Sequence, residues 1–220
     1  MSGLWDVLSG SFPELLSGFW VTVRLVAISF GIAMTLGTVV AALRVAPSKP
    51  LNMLGGIYVE TFRNIPLLVL LFISFAGLRR AGVAIGPWVA GTASLGVYTS
   101  AYIAEVLRSG VFAVSRGQID AALSLGFTYR RTLSKIVLPQ AFRTVISPIG
   151  SLIIAMIKNS AIIGVSLLAL PDLLKQARIE VSRTFQTDET FFWAAVGYLL
   201  LTGTATLVIR MLESRYAIHR

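Results

Sequence analysis

The sequence predicts an all-α membrane protein with five transmembrane helices, and three observations carry that expectation. Hydrophobic residues make up 55% of the 220 residues and charged residues 13%, about half the charged share of an ordinary soluble domain. Mean hydropathy is +0.79. The apolar residues also gather into long stretches, each near the ~20 residues that cross a hydrocarbon core as a helix. None alternates with the two-residue period of a membrane barrel strand. The absence of cysteine excludes a disulfide framework, thiol catalysis and Cys-ligated zinc or iron–sulfur sites. With one histidine, His219, no metal site is expected.

Taken in order, the first span runs from about Phe19 to Leu43 and is uncharged after Arg24. Residues 1–18 form an extracytoplasmic lead-in. They lack a basic n-region, and Asp6 and Glu14 precede the span, so they do not read as a cleavable signal peptide. Leu4, Trp5, Val7, Leu8 and Phe12 fit either an interfacial amphipathic turn or a frayed approach. The second span covers about Ile57–Leu78, with Glu60, Arg63 and Asn64 in its first turns. The third is the later part of the charge-free run Ala81–Ala104, the fourth Val145–Leu170 interrupted by Lys158, and the fifth Thr190–Ile209. Between the last two, Pro171–Glu189 is a polar external excursion. Gly31, Gly37, Gly91 and Gly96 are expected to permit close helix packing. No internal repeat is visible, which argues against an inverted-repeat carrier.

An odd number of spans puts the termini on opposite sides. With the N-terminus outside, the inner segments hold eleven cations: Arg44, Lys49, Arg108, Arg116, Arg130, Arg131, Lys135, Arg143, Arg210, Arg215 and Arg220. The outer segments hold five: Arg79, Arg80, Lys175, Arg178 and Arg183. That bias favours N-outside and C-cytoplasmic, with Arg79–Arg80 a local violation. Orientation therefore accounts for the formal charge of +9 without nucleic acid.

The loop from about Arg108 to Phe142 is longer than a helix connection needs, and such loops are often functional. Its centre reads as a helix over Gln118–Leu125, a break at Gly126, a second amphipathic helix and a stop or redirection at Pro139. Gly126 permits a left-handed turn. Phe127, Leu133, Ile136 and Val137 share an apolar face, with Arg130, Arg131 and Lys135 towards water or headgroups.

This stretch resembles the EAA signature of ABC importer permeases: Glu-Ala-Ala, three residues, Gly, nine residues, Ile-x-Leu-Pro. Asp120, Ala121, Ala122, Gly126, Ile136, Leu138 and Pro139 occupy its positions, with Asp120 in place of Glu. Val59–Leu68, with Asn64 and Ile65 where Gly and Thr are common, is similar to the second-span element of the polar amino-acid (histidine, glutamine, glutamate) branch. Ala101–Ala122 and Ile157–Ser160 are similar to other elements of that branch. The resemblance covers about Phe19–Leu212, so residues 19–212 form the permease domain and 213–220 a cytoplasmic tail.

The resemblance implies a type I ABC importer transmembrane domain in a bacterial plasma (inner) membrane. It implies cytoplasmic ATP-binding subunits that dock on the loop, with ATP and Mg on those partners. It also implies a second permease chain, identical or related, and an extracytoplasmic amino-acid-binding protein. No phosphate-binding Gly-x-x-x-x-Gly-Lys-Ser/Thr loop occurs here, so hydrolysis is assigned elsewhere. No cofactor and no catalytic residue are assigned to this chain. Glutamate, or another acidic or amide amino acid, is the preferred solute, with basic amino acids as the alternative that Glu60 and Glu105 would serve. The preference rests on likeness to glutamate permeases and on the intramembrane cations Lys158 and Arg63. The rival reading is an ATP-independent channel or proton-coupled carrier. A membrane enzyme finds no convergent nucleophile and base.

Ionisable groups at membrane depth normally pair or face a cavity. Glu60–Arg63 and Glu105–Arg108 are spaced to pair on one helix face, as structural staples or as part of a gate or solute path. Arg24 can snorkel. Lys158, beside Asn159, is expected to pair with Glu60 or Glu105, or to meet a substrate carboxylate.

Overall fold

The computed structural model describes residues 2–166 and 170–216. The tail from residue 217, with His219 and Arg220, and residues 167–169 of the expected fourth span lie outside the described residues. So do the side chains of Asp6 and Leu8.

Eight helices account for nearly all of the described chain. They are α1 (Ser2–Val45), α2 (Lys49–Asn64), α3 (Leu67–Arg80), α4 (Pro87–Phe112), α5 (Arg116–Ser124), α6 (Tyr129–Val165), α7 (Leu173–Thr184) and α8 (Thr187–Tyr216). Three are long and apolar enough to cross a membrane: Ser9–Val45 within α1, α6 and α8. The α2–α3 pair is a fourth if counted as one broken span. The 26-residue α4 is long enough, at ~1.5 Å per residue, but its Gly, Ser, Thr and Tyr residues make it less apolar.

The lead-in is neither frayed nor a separate turn. It is the first third of α1, and its side chains Val7, Ser11 and Leu15 are buried. Ser11 donates to Glu180 of α7 at 3.0 Å, and Trp193 of α8 donates to the Leu4 carbonyl at 2.8 Å.

α4 is the axle of the bundle. Small residues dominate its buried positions, including Ala90, Gly91, Ser94, Gly96, Ala101 and Ala104, and they let α1 lie against it. A Cβ on Gly37 would sit 2.7 Å from Ile103, and one on Gly96 2.7 Å from Ile32, so the expectation of close packing holds at both positions. It fails at Gly31, where nothing lies within 4 Å. These contacts advance in the same sense along both chains, so α1 and α4 run parallel. α6 and α8 complete the core through Met156, Ile157, Ile163 and Leu201.

The expected single second span is broken. α2 and α3 meet at 100°. Pro66 has no amide hydrogen, and a residue before proline avoids the helical region; Ile65 is extended at φ −88°, ψ 126°. The Asn64 side chain folds back over the last turn of α2 and donates to the Glu60 carbonyl at 2.7 Å. Pro139 departs from expectation in the other direction, because α6 continues through it. A wide π turn over Leu133–Val137 immediately precedes it and absorbs the missing hydrogen bond and the ring.

The bundle has two structurally distinct ends. α7 packs near residues 11–22 of α1, where Leu173 N donates to Thr22 Oγ1 at 3.1 Å. The α5–α6 hairpin lies near residues 38–45 of α1, ~24 Å or more away along the helix. α8 starts beside the first end and reaches the second, where Tyr216 meets Phe142 edge-on with centroids 5.8 Å apart. The described chain thus begins and ends at opposite ends of the bundle.

Gly164 tests how tightly the α7 end is set. A Cβ there would lie 1.7 Å from Asp172 Oδ1, so Gly164→Ala should cost roughly 1–3 kcal/mol as an overpacking change. Gly31→Ala, in open space, should stay within about 0.5 kcal/mol. Thermal unfolding of the purified protein in detergent measures both.

Candidate functional site

The most sharply specified local structure is the turn between α5 and α6. Gly126 is left-handed at φ +82°. Its amide donates to the Leu123 carbonyl at 3.0 Å, and the Phe127 amide donates to the Ala122 carbonyl at 3.0 Å. This is a Schellman cap, which satisfies the last carbonyls of α5. Thr128 then caps α6, its Oγ1 accepting from the Arg131 amide at 3.3 Å. Gln140 donates to Gln118 at 2.8 Å and ties the far side of α6 back to α5.

Within this rigid hairpin Ala122 is buried against the body, while Asp120, Ala121 and Leu125 face outwards. Asp120 has no ion-pair partner among the described residues. Leu125 is 80% exposed. Val137 is buried and Ile136 partly so, whereas Leu138 and Pro139 are exposed. The amphipathic division expected for the second helix is present: Phe127, Leu133, Ile136 and Val137 turn inwards, and Arg130, Arg131 and Lys135 outwards.

Above the hairpin, Glu105 collects two arginines. Arg108 Nε donates to both of its oxygens at 3.1 Å, and Arg108 Nη2 also bonds to Oε1. Arg44 Nη2 reaches Oε2 from α1 at 3.4 Å. Arg44 is in turn covered by α2, because a Cβ on Gly55 would meet its Cγ at 3.0 Å. Asn52 bonds to the Arg44 carbonyl. The Glu105–Arg108 pair therefore forms as its spacing predicts, and it belongs to a staple joining α1, α2 and α4. Sequence reasoning treated Arg44 only as an orientation cation; its partner is 61 residues away, so no local signal marks the pair.

Glu60 and Arg63 do not pair. Arg63 instead lies over the Tyr102 ring, 5.2 Å from its centroid, and Tyr102 OH donates to the Arg63 carbonyl at 3.3 Å. Glu60 accepts from Asn64 at 3.3 Å and is exposed. The cation–π contact with Tyr102 takes Arg63, and Asn64 takes Glu60, in place of the i,i+3 ion pair. Lys158 pairs with neither Glu60 nor Glu105. It is exposed on α6 and makes no ion pair among the described residues, with Asn159 partly buried beside it. Helix phase decides this: Ile157 and Ser160 take the buried positions.

At the opposite end Asp172 is fully buried. Its Oδ1 accepts from the Lys175 amide at 2.9 Å as the cap of α7, and Tyr198 OH donates to Oδ2 at 3.4 Å. Burial pushes this carboxyl up to about 6, against the lowering pull of those hydrogen bonds and of the Lys175 charge. Pro-Asp ahead of Leu173-Leu174 is a helix-start signal that sequence reasoning passed over. No group of His, Cys, Asp and Glu fit to hold a metal occurs among the described residues.

Residues 33–218 match the family described as the binding-protein-dependent transport system inner membrane component. The chain is 40% identical over 210 residues to the probable glutamine ABC transporter permease protein GlnM of Bacillus subtilis (strain 168), covering 96% of each. It is 38% identical to the glutamate transport system permease protein GluC of Corynebacterium glutamicum (strain ATCC 13032) over the full length of both. Among solved structures, an amino acid ABC transporter crystallised with histidines superposes with a TM-score of 0.87. It is 33% identical, and the match covers 93% of this chain and 94% of that one.

The Asp172 carboxyl gives a signed pH dependence. Between its ordinary value of 3.8 and about 6 the folded protein keeps a proton that the unfolded chain has lost. Stability from this group therefore rises as pH falls through 6, and is absent above it. Asp172→Asn, which retains a capping oxygen, should match the parent near pH 4 and exceed it at pH 7.5 by up to ~3 kcal/mol. Unfolding midpoints of the two proteins across that range supply the comparison.

Proposed function

The chain belongs to the family of binding-protein-dependent transport system inner membrane components, and from that premise we propose that it is the permease subunit of an importer for glutamate or a related acidic or amide amino acid. In this family the ATPase is a separate subunit. The observation that carries the residue-level reading is the doubly capped α5–α6 hairpin. It presents Asp120, Ala121 and Leu125 on a rigid peg with no ion-pair partner for Asp120 among the described residues. We assign that peg to a cleft of a cytoplasmic ATP-binding subunit, which holds ATP and Mg. Nucleotide binding there acts on transport only through its different affinity for the two states of the permease.

Five crossings follow if the α2–α3 pair and α4 each count as one. The cation bias then sets the hairpin and the C-terminus in the cytoplasm and α7 outside. In this arrangement the α7 end receives an extracytoplasmic amino-acid-binding protein. Phe185, 87% exposed and left-handed at φ 59°, stands among polar neighbours on that face, as an interface anchor does. A second permease chain completes the pathway. The lightly buried α8, with 11% of its most apolar window inside the chain, supports that.

For the solute path we favour the break between α2 and α3. Discontinuous transmembrane helices place their ends at transported solutes, and irregular backbone at membrane depth is tolerated where it lines a cavity. Glu60 and Arg63 border this break, unpaired with each other, and offer opposite charges to a zwitterion. Lys158 and Asn159 are further candidates. Glu105 and Arg108 are assigned instead to the staple.

Three outcomes test this. With the ATPase and binding protein in vesicles, Gly126→Pro or Ala121→Trp should abolish ATP-driven glutamate uptake while membrane insertion persists. Undiminished uptake would overturn the docking assignment. Arg63→Gln should raise the KM for labelled glutamate by roughly 10- to 100-fold, the loss of one charged hydrogen bond. Glu105→Gln should lower the folded yield with KM unchanged.

A further inference from the structure

A cavity of about 600 Å³ opens between the hairpin and the bundle. Ala42 of α1, Leu107 of α4, Ile119 of α5 and Leu133 of α6 all contribute to its wall, so it joins the peg to the two most tightly packed helices. The lining is apolar apart from the hydroxyls of Thr38, Tyr129 and Thr132 and a single charged group, Arg116. Protein interiors close-pack to a density that leaves few voids larger than a water. An apolar void also offers water too few partners to fill it. A space of this size therefore calls for an apolar occupant.

The rim indicates where that occupant comes from. Phe112, Tyr129 and Phe142, which line the cavity, are 62%, 64% and 58% exposed. Arg130 and Arg143 stand next to two of them in sequence and are exposed. Arg116 makes no ion pair among the described residues. An apolar chamber entered past aromatic residues, with an uncompensated guanidinium in its wall, fits a molecule with a long hydrocarbon tail and a net negative head. Basic pockets between membrane helices on the cytoplasmic side take anionic lipid headgroups in this way.

We infer that this cavity binds an acyl chain of an anionic phospholipid from the cytoplasmic leaflet, with its phosphate on Arg116. The inference rests on the orientation given under the proposed function. Because Arg116 and Ile119 belong to α5, a bound tail braces the docking hairpin against α1 and α4, and the lipid becomes part of the coupling element. An unfilled cavity leaves the peg free to yield under load instead of moving α4.

The test reconstitutes the complete transporter, permease with its ATPase, in vesicles of phosphatidylcholine alone or mixed with phosphatidylglycerol. Traces of either lipid carry a photoactivatable group at the tail end. The phosphatidylglycerol probe should label residues 38–45 and 129–145 about fivefold more than the phosphatidylcholine probe. That ratio corresponds to the ~1 kcal/mol that one cation contributes to holding an anionic lipid. Ala42→Phe, which fills the cavity, should remove the labelling several-fold. Val39→Phe, a neighbouring exposed position on α1 outside the lining, should leave it intact. Arg116→Gln should keep the labelling and erase the preference between the two lipids, so the test holds even if Ala42→Phe does not insert. Equal labelling by both probes would overturn the inference. So would labelling indifferent to Ala42→Phe, or covalent capture of a second permease chain or of the ATPase in the cavity. Labelling reports the lipid and ATP-driven uptake reports the hairpin, so a failure of either is distinguishable.

Discussion

Everything in this protein is hung on the close approach of α1 and α4. Ile32 lies over Gly96 and Ile103 over Gly37 at distances that leave no room for a Cβ. In a bilayer no hydrophobic force drives helices together, so association depends on van der Waals contact and interhelical hydrogen bonds, which small residues make possible. The two parallel helices carry the Arg44–Glu105–Arg108 staple at one end, and α1 carries the seat of α7 at the other. The hairpin reaches the membrane through the walls they share with α6. Loosening that seam would separate the hairpin, to which docking is assigned, from the helices it would move.

The two ends of the bundle are built differently, and the difference matches their assigned work. The hairpin end is capped at Gly126 by backbone hydrogen bonds and at Thr128 by its hydroxyl. It leaves Asp120 without an ion pair among the described residues and Leu125 exposed, as the proposed docking surface requires. The α7 end is a buried network. Asp172 caps a helix, accepts from Tyr198 and presses on Gly164, while Ser11 and Arg183 both donate to Glu180. The first is stiff but unfinished without a partner. The second is self-sufficient and holds α7 as a platform.

Much of this was legible in the residues, and the division between what was and was not has a physical basis. The hairpin was readable because its signals are local: a glycine at the left-handed position and an apolar face at helical spacing; its Thr128 cap was not read. The long apolar helices were readable from composition. The break before Pro66 has a local signal too, which the reading of Ile57–Leu78 as one apolar span passed over. What escaped depends on tertiary neighbours. Arg63 was spaced for Glu60 and instead found Tyr102, 39 residues on. Lys158 was expected to pair and instead faces outwards, because Ile157 and Ser160 claim the core. Pro139 reads as a stop or redirection in a one-dimensional account, and the preceding π turn lets α6 pass through it.

The central claim is that the α5–α6 hairpin carries the work of a separate ATPase into the membrane. The chain contains no cysteine, so one introduced at Leu125, on the exposed tip, is the only thiol the permease offers. Disulfide trapping of this Leu125→Cys variant against single cysteines placed in the cleft of the ATPase is the most direct measurement. The account predicts a trapped species whose formation stops ATP-driven uptake and whose reduction restores it. Full uptake by the trapped complex, or uptake with no contact between Leu125→Cys and the ATPase at any nucleotide state, would contradict it.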